Sequence, residues 1–285
     1  MLTLNDIRTN AEVRHYIDRA DSVMESMGYT EHGRRHAAVV SRRARSIMEA
    51  LSFPTRACEL AAVAAYLHDI GNIANRDHHA QSGAILAHTL LREAGMDIVE
   101  TIEIVTAIGH HHETDGAPVS DISAAVILAD KSDVHRSRVR NKEMIQLDIH
   151  DRVNYSVTRS SLLIVGPHAA REMTGEREGN NGNPGDGGKA ANSGNPANSG
   201  NPAGPESKGD KPVDRDFATV TISDVEEGEA PQGRPVITLA LTIDTSISPV
   251  MEYFEIFLPR MILSNRAADR LGAAYKLVIN DTPLL

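Results

Sequence analysis

Between Ala57 and Leu67 the chain is almost wholly apolar, and the run ends abruptly in His68-Asp69-Ile70-Gly71-Asn72. A helix that is apolar all round belongs at the centre of a bundle, covered on every side by other helices. The run therefore predicts a buried helix over 57–67, stopped by Gly71 in the left-handed region. An ionised carboxylate at the end of such a helix is costly unless a cation meets it. Asp69 is thus the best single pointer in the sequence to a bound metal.

The same pattern, a histidine or aspartate beside a helix-length apolar segment, recurs at His36, His79, the pair His111-His112 and Asp130. A helix is expected from Thr30, with Thr30 as its N-cap. On it His36, Val40, Ala44, Ile47 and Leu51 share one face, so His36 points inward at the head of an apolar stripe. His32, one turn earlier, can reach the same point. Ala125-Val-Ile-Leu-Ala precedes Asp130 and makes it the buried carboxylate, whereas Asp133 reads as a supporting or exposed one. Lys131 either neutralises charge beside Asp130 or faces solvent. His78 and His88 read as ordinary surface or core histidines. Imidazole nitrogens and carboxylate oxygens in this number, on helix-length segments, suit two divalent metals held in the core of a bundle.

Residues 1–158 carry helical spacing broken by Gly28, Pro54, Gly71, Gly95 and Gly116, which predicts five or more helices. From about 172 to 215 the chain is rich in Gly, Asn, Pro and Ser, with a tandem hexapeptide from Ala191 and again from Ala197. Such a segment buries too little apolar surface to offset its ordering entropy and is expected to be a disordered insertion. Ser161–Val165, Phe217–Ile222, Val236–Ile243 and Tyr275–Ile279 have the β-branched composition of strands. Pro249 opens a helix, bent at Pro259, that runs to Gly272. The expected fold is mainly α, a helical bundle over 1–158, with a smaller α+β domain over 159–285 that contains the insertion.

The single Cys58 excludes a disulfide framework and a thiolate zinc site, and points to an intracellular protein. The N-terminus lacks the apolar segment of a signal peptide, and no uncharged apolar run reaches membrane-spanning length, so a cytoplasmic location and no membrane contact are expected. A formal net charge of −10 argues against general nucleic-acid binding. It admits a small phosphorylated partner, because bound metals invert the local field. The basic runs at 34–35, 42–45 and 131–140 read mostly as solvated helix faces.

The order His36, His68-Asp69, Asp130 resembles the HD-domain superfamily of metal-dependent phosphohydrolases, over roughly residues 28–135. His79 with Gly83, and His111-His112-Glu113-Thr114-Asp115-Gly116, resemble its HD-GYP branch. Ala117-Pro118-Val119 then stands where the branch has Gly-Tyr-Pro, which argues against a cyclic dinucleotide as substrate. The resemblance implies one metal held by His36, His68, Asp69 and Asp130 and another by Asp69, His79, His111 and His112, with His110 the alternative if the alignment slips by one. His32 stands where the branch often has a carboxylate. The implied activity is hydrolysis of a nucleotide-like phosphate ester by a water activated between metals that Asp69 bridges, with Lys131 neutralising phosphate charge. Manganese, iron, zinc, cobalt or nickel suit the ligands, and magnesium is admitted. The tail is similar to uncharacterised bacterial HD proteins with an extra C-terminal domain. Two alternatives stand beside this: a di-iron oxygenase, and a metal-holding sensor or interaction module, with homo-oligomers compatible with any of the three.

Overall fold

The computed structural model of the protein describes residues 1–165, 220–222 and 234–285. The expected insertion and the beginning of the Phe217 strand lie outside the described residues. The chain is mainly α with a smaller α+β part at its C-terminal end, the class its sequence predicts.

The helices are α1 (Leu4–Thr9), α2 (Ala11–Ser26), α3 (Arg34–Ala50), α4 (Thr55–Leu67), α5 (His79–Glu93), α6 (Ile98–Gly109), α7 (Asp121–Lys131) and α8 (Ile149–Ser156). Side-chain caps define several starts: Thr3, Asn10, Asp97, Ser120 and Asp148 each accept from backbone amides of the first turn they precede. Helix α4 is the predicted central helix. Its residues from Leu60 to Leu67 are all buried, and α1, α3, α6 and α7 pack around it. Ala61, Ala62, Ala64 and Ala65 let these neighbours approach closely enough for Ser41 Oγ on α3 to donate to the Ala62 carbonyl at 2.8 Å.

Two helix boundaries differ from expectation for physical reasons. Gly71 is not a left-handed stop; it lies in a 3-10 turn, Ile70–Ile73, and the left-handed glycines among the described residues are Gly28, Gly95 and Gly272. Its smallness serves close approach instead. A Cβ there would fall 2.0 Å from the His79 carbonyl oxygen and 2.4 Å from Gly83 N, so the turn after α4 lies flush against the first turn of α5. Thr30 is likewise not an N-cap, since α3 begins at Arg34 with Gly33 before it. Glu31 does the capping, its Oε1 accepting from Gly33 N at 2.8 Å and His36 N at 3.4 Å, because Glu31 N is itself tied to the Arg138 carbonyl at 2.8 Å.

The strands are β1 (Val157–Val165), β2 (Val220–Ile222), β3 (Val236–Ile243), β4 (Ala274–Ile279) and β5 (Thr282–Pro283), and α9 (Val250–Arg270) carries Pro259 inside it as expected. Together they form a sheet in the order β2-β1-β3-β4-β5. β1 and β3 are antiparallel, with Leu162 opposite Leu239. β3 and β4 are parallel, joined through α9, which packs on both β4 and α7. The apolar core is continuous from bundle to sheet, running from Leu67 and Val126 through Leu162 and Leu239 to Tyr253 and Leu277. Arg43 crosses that seam, 1% exposed, donating to Ser132 Oγ at 2.9 Å and to the Ser160 carbonyl at 2.8 Å. The basic runs are therefore not simply solvated faces, since Arg43, Lys131 and Arg138 are all buried. Among the described residues, no helix is long and apolar enough to cross a membrane.

Candidate metal centre

The close fit of Gly71 against Gly83 sets the end of α4 beside the start of α5, and α6 and α7, packed against these helices, bring their own ends to the same place. α3 adds its first turn. At that point His36 Nε2 lies 3.5 Å from Asp69 Oδ2 and 3.4 Å from Asp130 Oδ1, and His68 Nε2 lies 3.2 Å and 3.6 Å from the same two atoms. On the other side of Asp69, His79 Nε2 is 3.5 Å and His111 Nε2 3.9 Å from Oδ1. Two groups have ligand atoms close enough to surround an ion: His36, His68 and Asp130, and His68, Asp69 and His111.

The tautomers make the case sharper than the distances do. Nδ1 of His68 meets the Ala65 carbonyl at 2.7 Å, that of His79 the Arg76 carbonyl at 2.8 Å and that of His111 the Ile108 carbonyl at 2.7 Å. A carbonyl only accepts, so each Nδ1 carries a proton, and in the neutral ring each Nε2 presents a lone pair. His36 is set the same way by Asp133 Oδ2, 2.7 Å from its Nδ1. The lone pairs then face each other: His36 and His68 Nε2 are 3.2 Å apart, and His79 and His111 Nε2 3.1 Å. Such pairs repel unless a cation stands among them, which is the arrangement that metal-ligating imidazoles adopt.

Charge follows the same geometry. Burial opposes charge on His68, but the carboxylates of Asp69 and Asp130 outweigh it and push it up to about 10. Without a metal, one proton on His68 relieves its half of the cluster. The other half gains no proton, and the cation nearest its lone pairs is the Arg76 guanidinium, with Nη1 3.4 Å from His79 Nε2. Burial, the chief cause, draws His79 down to about 4 and holds His111 well below the usual imidazole range. Burial also opposes ionisation of Asp69 and Asp130, yet His68 beside the first and Lys131 beside the second keep both far below the ordinary carboxylate range.

Other residues named from the sequence fall into place unevenly. Lys131 is not solvent-facing: it is 5% exposed, with Nζ 2.8 Å from Asp130 Oδ2 and donating to Glu113 Oε2 at 2.6 Å. Asp133, rather than Asp130, is the more deeply buried carboxylate, at 3% against 12% side-chain exposure, because Arg35 and Arg138 converge on it. His112 sits at the margin, its ring centred 4.8 Å from that of His79 and its Nε2 3.8 Å from Glu113 Oε2. His32 stands beside His36, ring centroids 5.6 Å apart, with Nδ1 turned to the Thr30 carbonyl. His110 belongs to neither group, while His78 and His88 are exposed. Gly116 lets the loop after α6 close, since a Cβ would meet the carbonyl oxygens of His110 and His112 at 2.3 Å each.

Sequence reasoning missed one residue that positions the cluster. Asn72 donates to Asp69 Oδ1 at 2.9 Å and aims that carboxylate; its position three residues on from Asp69 was the available signal. Asp133, which the sequence offers as a supporting or exposed carboxylate, is the supporting one, and its partner lies 97 positions earlier.

Comparison with known proteins agrees with the site. An HD domain model matches residues 33–152. An uncharacterised protein of Methanocaldococcus jannaschii is similar, 32% identical over 145 residues that cover 40% of this chain and 52% of the relative, so the chain spans about half the length of the curated relative it matches. No solved structure matches the chain. Residues 33–152, which carry His36, His68-Asp69 and Asp130 at one point, are similar to the HD domain.

Proposed function

We propose that this protein is a metal-dependent phosphohydrolase that cleaves a small, nucleotide-like phosphate ester at a centre for two divalent metals. The observation that carries the reading is the convergence of imidazole lone pairs from His36, His68, His79 and His111 on the carboxylates of Asp69 and Asp130. His36, His68, Asp69 and Asp130 would hold one metal. Asp69, His79, His111 and, from the margin, His112 would hold the other. Oxygen mixed with imidazole suits manganese, iron, zinc, cobalt or nickel. When bound, such metals supply Lewis acidity and lower the pKa of a coordinated water.

The chain's own groups do the rest. Asn72 fixes the Asp69 carboxylate from one side, so that its two oxygens face the two histidine pairs. Asp133 and the backbone carbonyls hold the imidazoles in the tautomer that keeps Nε2 free of a proton. Lys131, buried and tied to Asp130 and Glu113, sets a cation where charge grows on the phosphoryl oxygens. In the same reading residues 1–158 form the hydrolase unit of a cytoplasmic protein and 159–285 a second unit with the insertion in it.

The test is turnover by purified protein loaded with Mn²⁺ or Fe²⁺, over a panel of nucleotides and a generic phosphodiester. Release of phosphate or alcohol that vanishes in Asp69→Ala supports the reading. Full metal loading with no ester cleaved would favour a sensor module, and an oxygen-dependent product would favour oxygenase chemistry.

A further inference from the structure

The metal centre accounts for the ligands but not for what grips the substrate, and the C-terminal helix reaches that side of the site. Helix α9 packs on α7, and just past its proline it presents Arg260, whose Nε donates to Glu113 Oε1 at 3.2 Å. The other oxygen of Glu113 takes Lys131, which in turn lies against Asp130. One carboxylate thus links a cation of the C-terminal helix to the cation at the centre. The Arg260 guanidinium lies over the Phe257 ring, 4.4 Å from its centroid, which fixes its approach.

Arg260 lines a cleft of about 420 Å³ together with Tyr29, His32, Arg76, Arg138 and Asn154, a size that suits a small ligand. Arg76 joins this cleft to the centre, with Nη1 3.4 Å from His79 Nε2 and 4.0 Å from Asp69 Oδ1. α8 contributes an opposite chemistry. Asn154 is buried, its amide nitrogen donates to the His150 carbonyl at 2.8 Å, and its Oδ1 has no hydrogen-bond partner among the described residues. Buried acceptors are ordinarily satisfied, so this one is suited to an N–H or O–H brought by a ligand. Asp148 and Asp151 line the same cleft as further acceptors. A molecule that satisfies both sets is anionic at one end and rich in donors at the other.

We propose that Arg260 is a substrate-binding residue that takes the phosphate of a nucleotide-class ester in exchange for Glu113, with Asn154 receiving a donor of the sugar or base. The proposal rests on the phosphohydrolase reading. A guanidinium presents a fork that matches phosphate oxygens, and phosphate gives it a stronger pair than a carboxylate already shared with Lys131.

The test uses the full chain loaded with Mn²⁺, its metal content checked by elemental analysis. Calorimetric titration with inorganic phosphate is compared with KM for AMP and for p-nitrophenyl phosphate, which lacks the donors. Arg260→Gln is expected to weaken phosphate binding and raise both KM values tenfold or more at equal metal content. Asn154→Leu is expected to raise KM for AMP alone. Should Arg260→Gln fail to fold, Arg260→Lys keeps a charge on Glu113 but loses the fork; a raised KM at unchanged kcat supports the proposal and an unchanged KM overturns it. Wild-type protein that takes up metal yet neither binds phosphate nor cleaves either ester sinks the hydrolase reading and this proposal together. Wild-type protein that does both, with the Arg260 variants indistinguishable from it, overturns the proposal alone, and an equal effect of Asn154→Leu on both esters overturns the nucleotide assignment.

Discussion

The two ends of the histidine cluster are built differently. At one end His36 is 1% exposed and held by Asp133, itself buried under Arg35 and Arg138. At the other, His112 has 24% side-chain exposure, leans on its neighbour Glu113 and borders a cleft with Tyr29, Arg76 and His79. The contrast teaches that rigidity here comes from buried charge pairs rather than from the ligands. Under the proposed function the closed end would offer a metal a preformed site. The open end borders a cleft in which, under the proposed function, a substrate would sit.

The largest test of that contrast is Asp69→Ala, because Asp69 is shared by both ends. Several kcal/mol of transition-state stabilisation should go with it, so hydrolysis is expected to fall by at least about a thousandfold. Elemental analysis should show both ions lost. Retention of one ion at full occupancy would mean that the ends are independent after all.

Asp133→Asn comes next and strikes the closed end only. Removing one partner of a buried charge pair costs about 3–5 kcal/mol, to be read as a lower denaturant midpoint. A pH effect accompanies it. Burial opposes ionisation of Asp133, but Arg35, the hydrogen bond from His36 and Arg138 outweigh it and hold the group well below its usual range. With the folded value below the unfolded one, the stabilisation is in place above the unfolded pKa of about 3.9 and is lost as pH falls from there toward the folded value. Wild-type stability should therefore drop more steeply than that of Asp133→Asn below about pH 4; parallel curves would move the acid sensitivity elsewhere.

Gly71→Ala tests the joint between the ends. Its Cβ would meet backbone atoms of His79 and Gly83, which must shift, at a cost of roughly 1–3 kcal/mol. Thermal unfolding measures this, and a variant as stable as wild type would show that α4 and α5 do not need such close contact. The smallest effect belongs to the open end: His112→Ala should weaken uptake of the second ion about tenfold, leaving the first unchanged in a metal titration. Equal weakening of both would erase the distinction.

Much of this was legible along the chain. The run before His68-Asp69 marks the central helix, and the order of histidines and aspartates picks out side chains that the fold brings together. Two misreadings share a cause. Local preference makes Gly71 a left-handed stop and Thr30 an N-cap, yet Gly71 answers to His79 and Gly83, and the loop at Thr30 answers to Arg138. Arg43 was read as solvated although it shares the spacing of Val40 and Ile47, and only the sheet packed behind α3 explains why a charge belongs there.

What the sequence determined by itself is which histidines and aspartates are candidates for the centre and the orientation of three of them: His68, His79 and His111 each give Nδ1 to a carbonyl three residues earlier, an interaction within a single turn. Only the tertiary structure decided the fourth, since His36 takes its tautomer from Asp133, 97 positions away, and it alone brought Arg260 to Glu113 across 147. The physical reason is range. Hydrogen bonds within a turn follow from backbone geometry that every helix end shares, whereas a buried charge pair forms only where the packing of separate elements leaves room for both partners and excludes water from each.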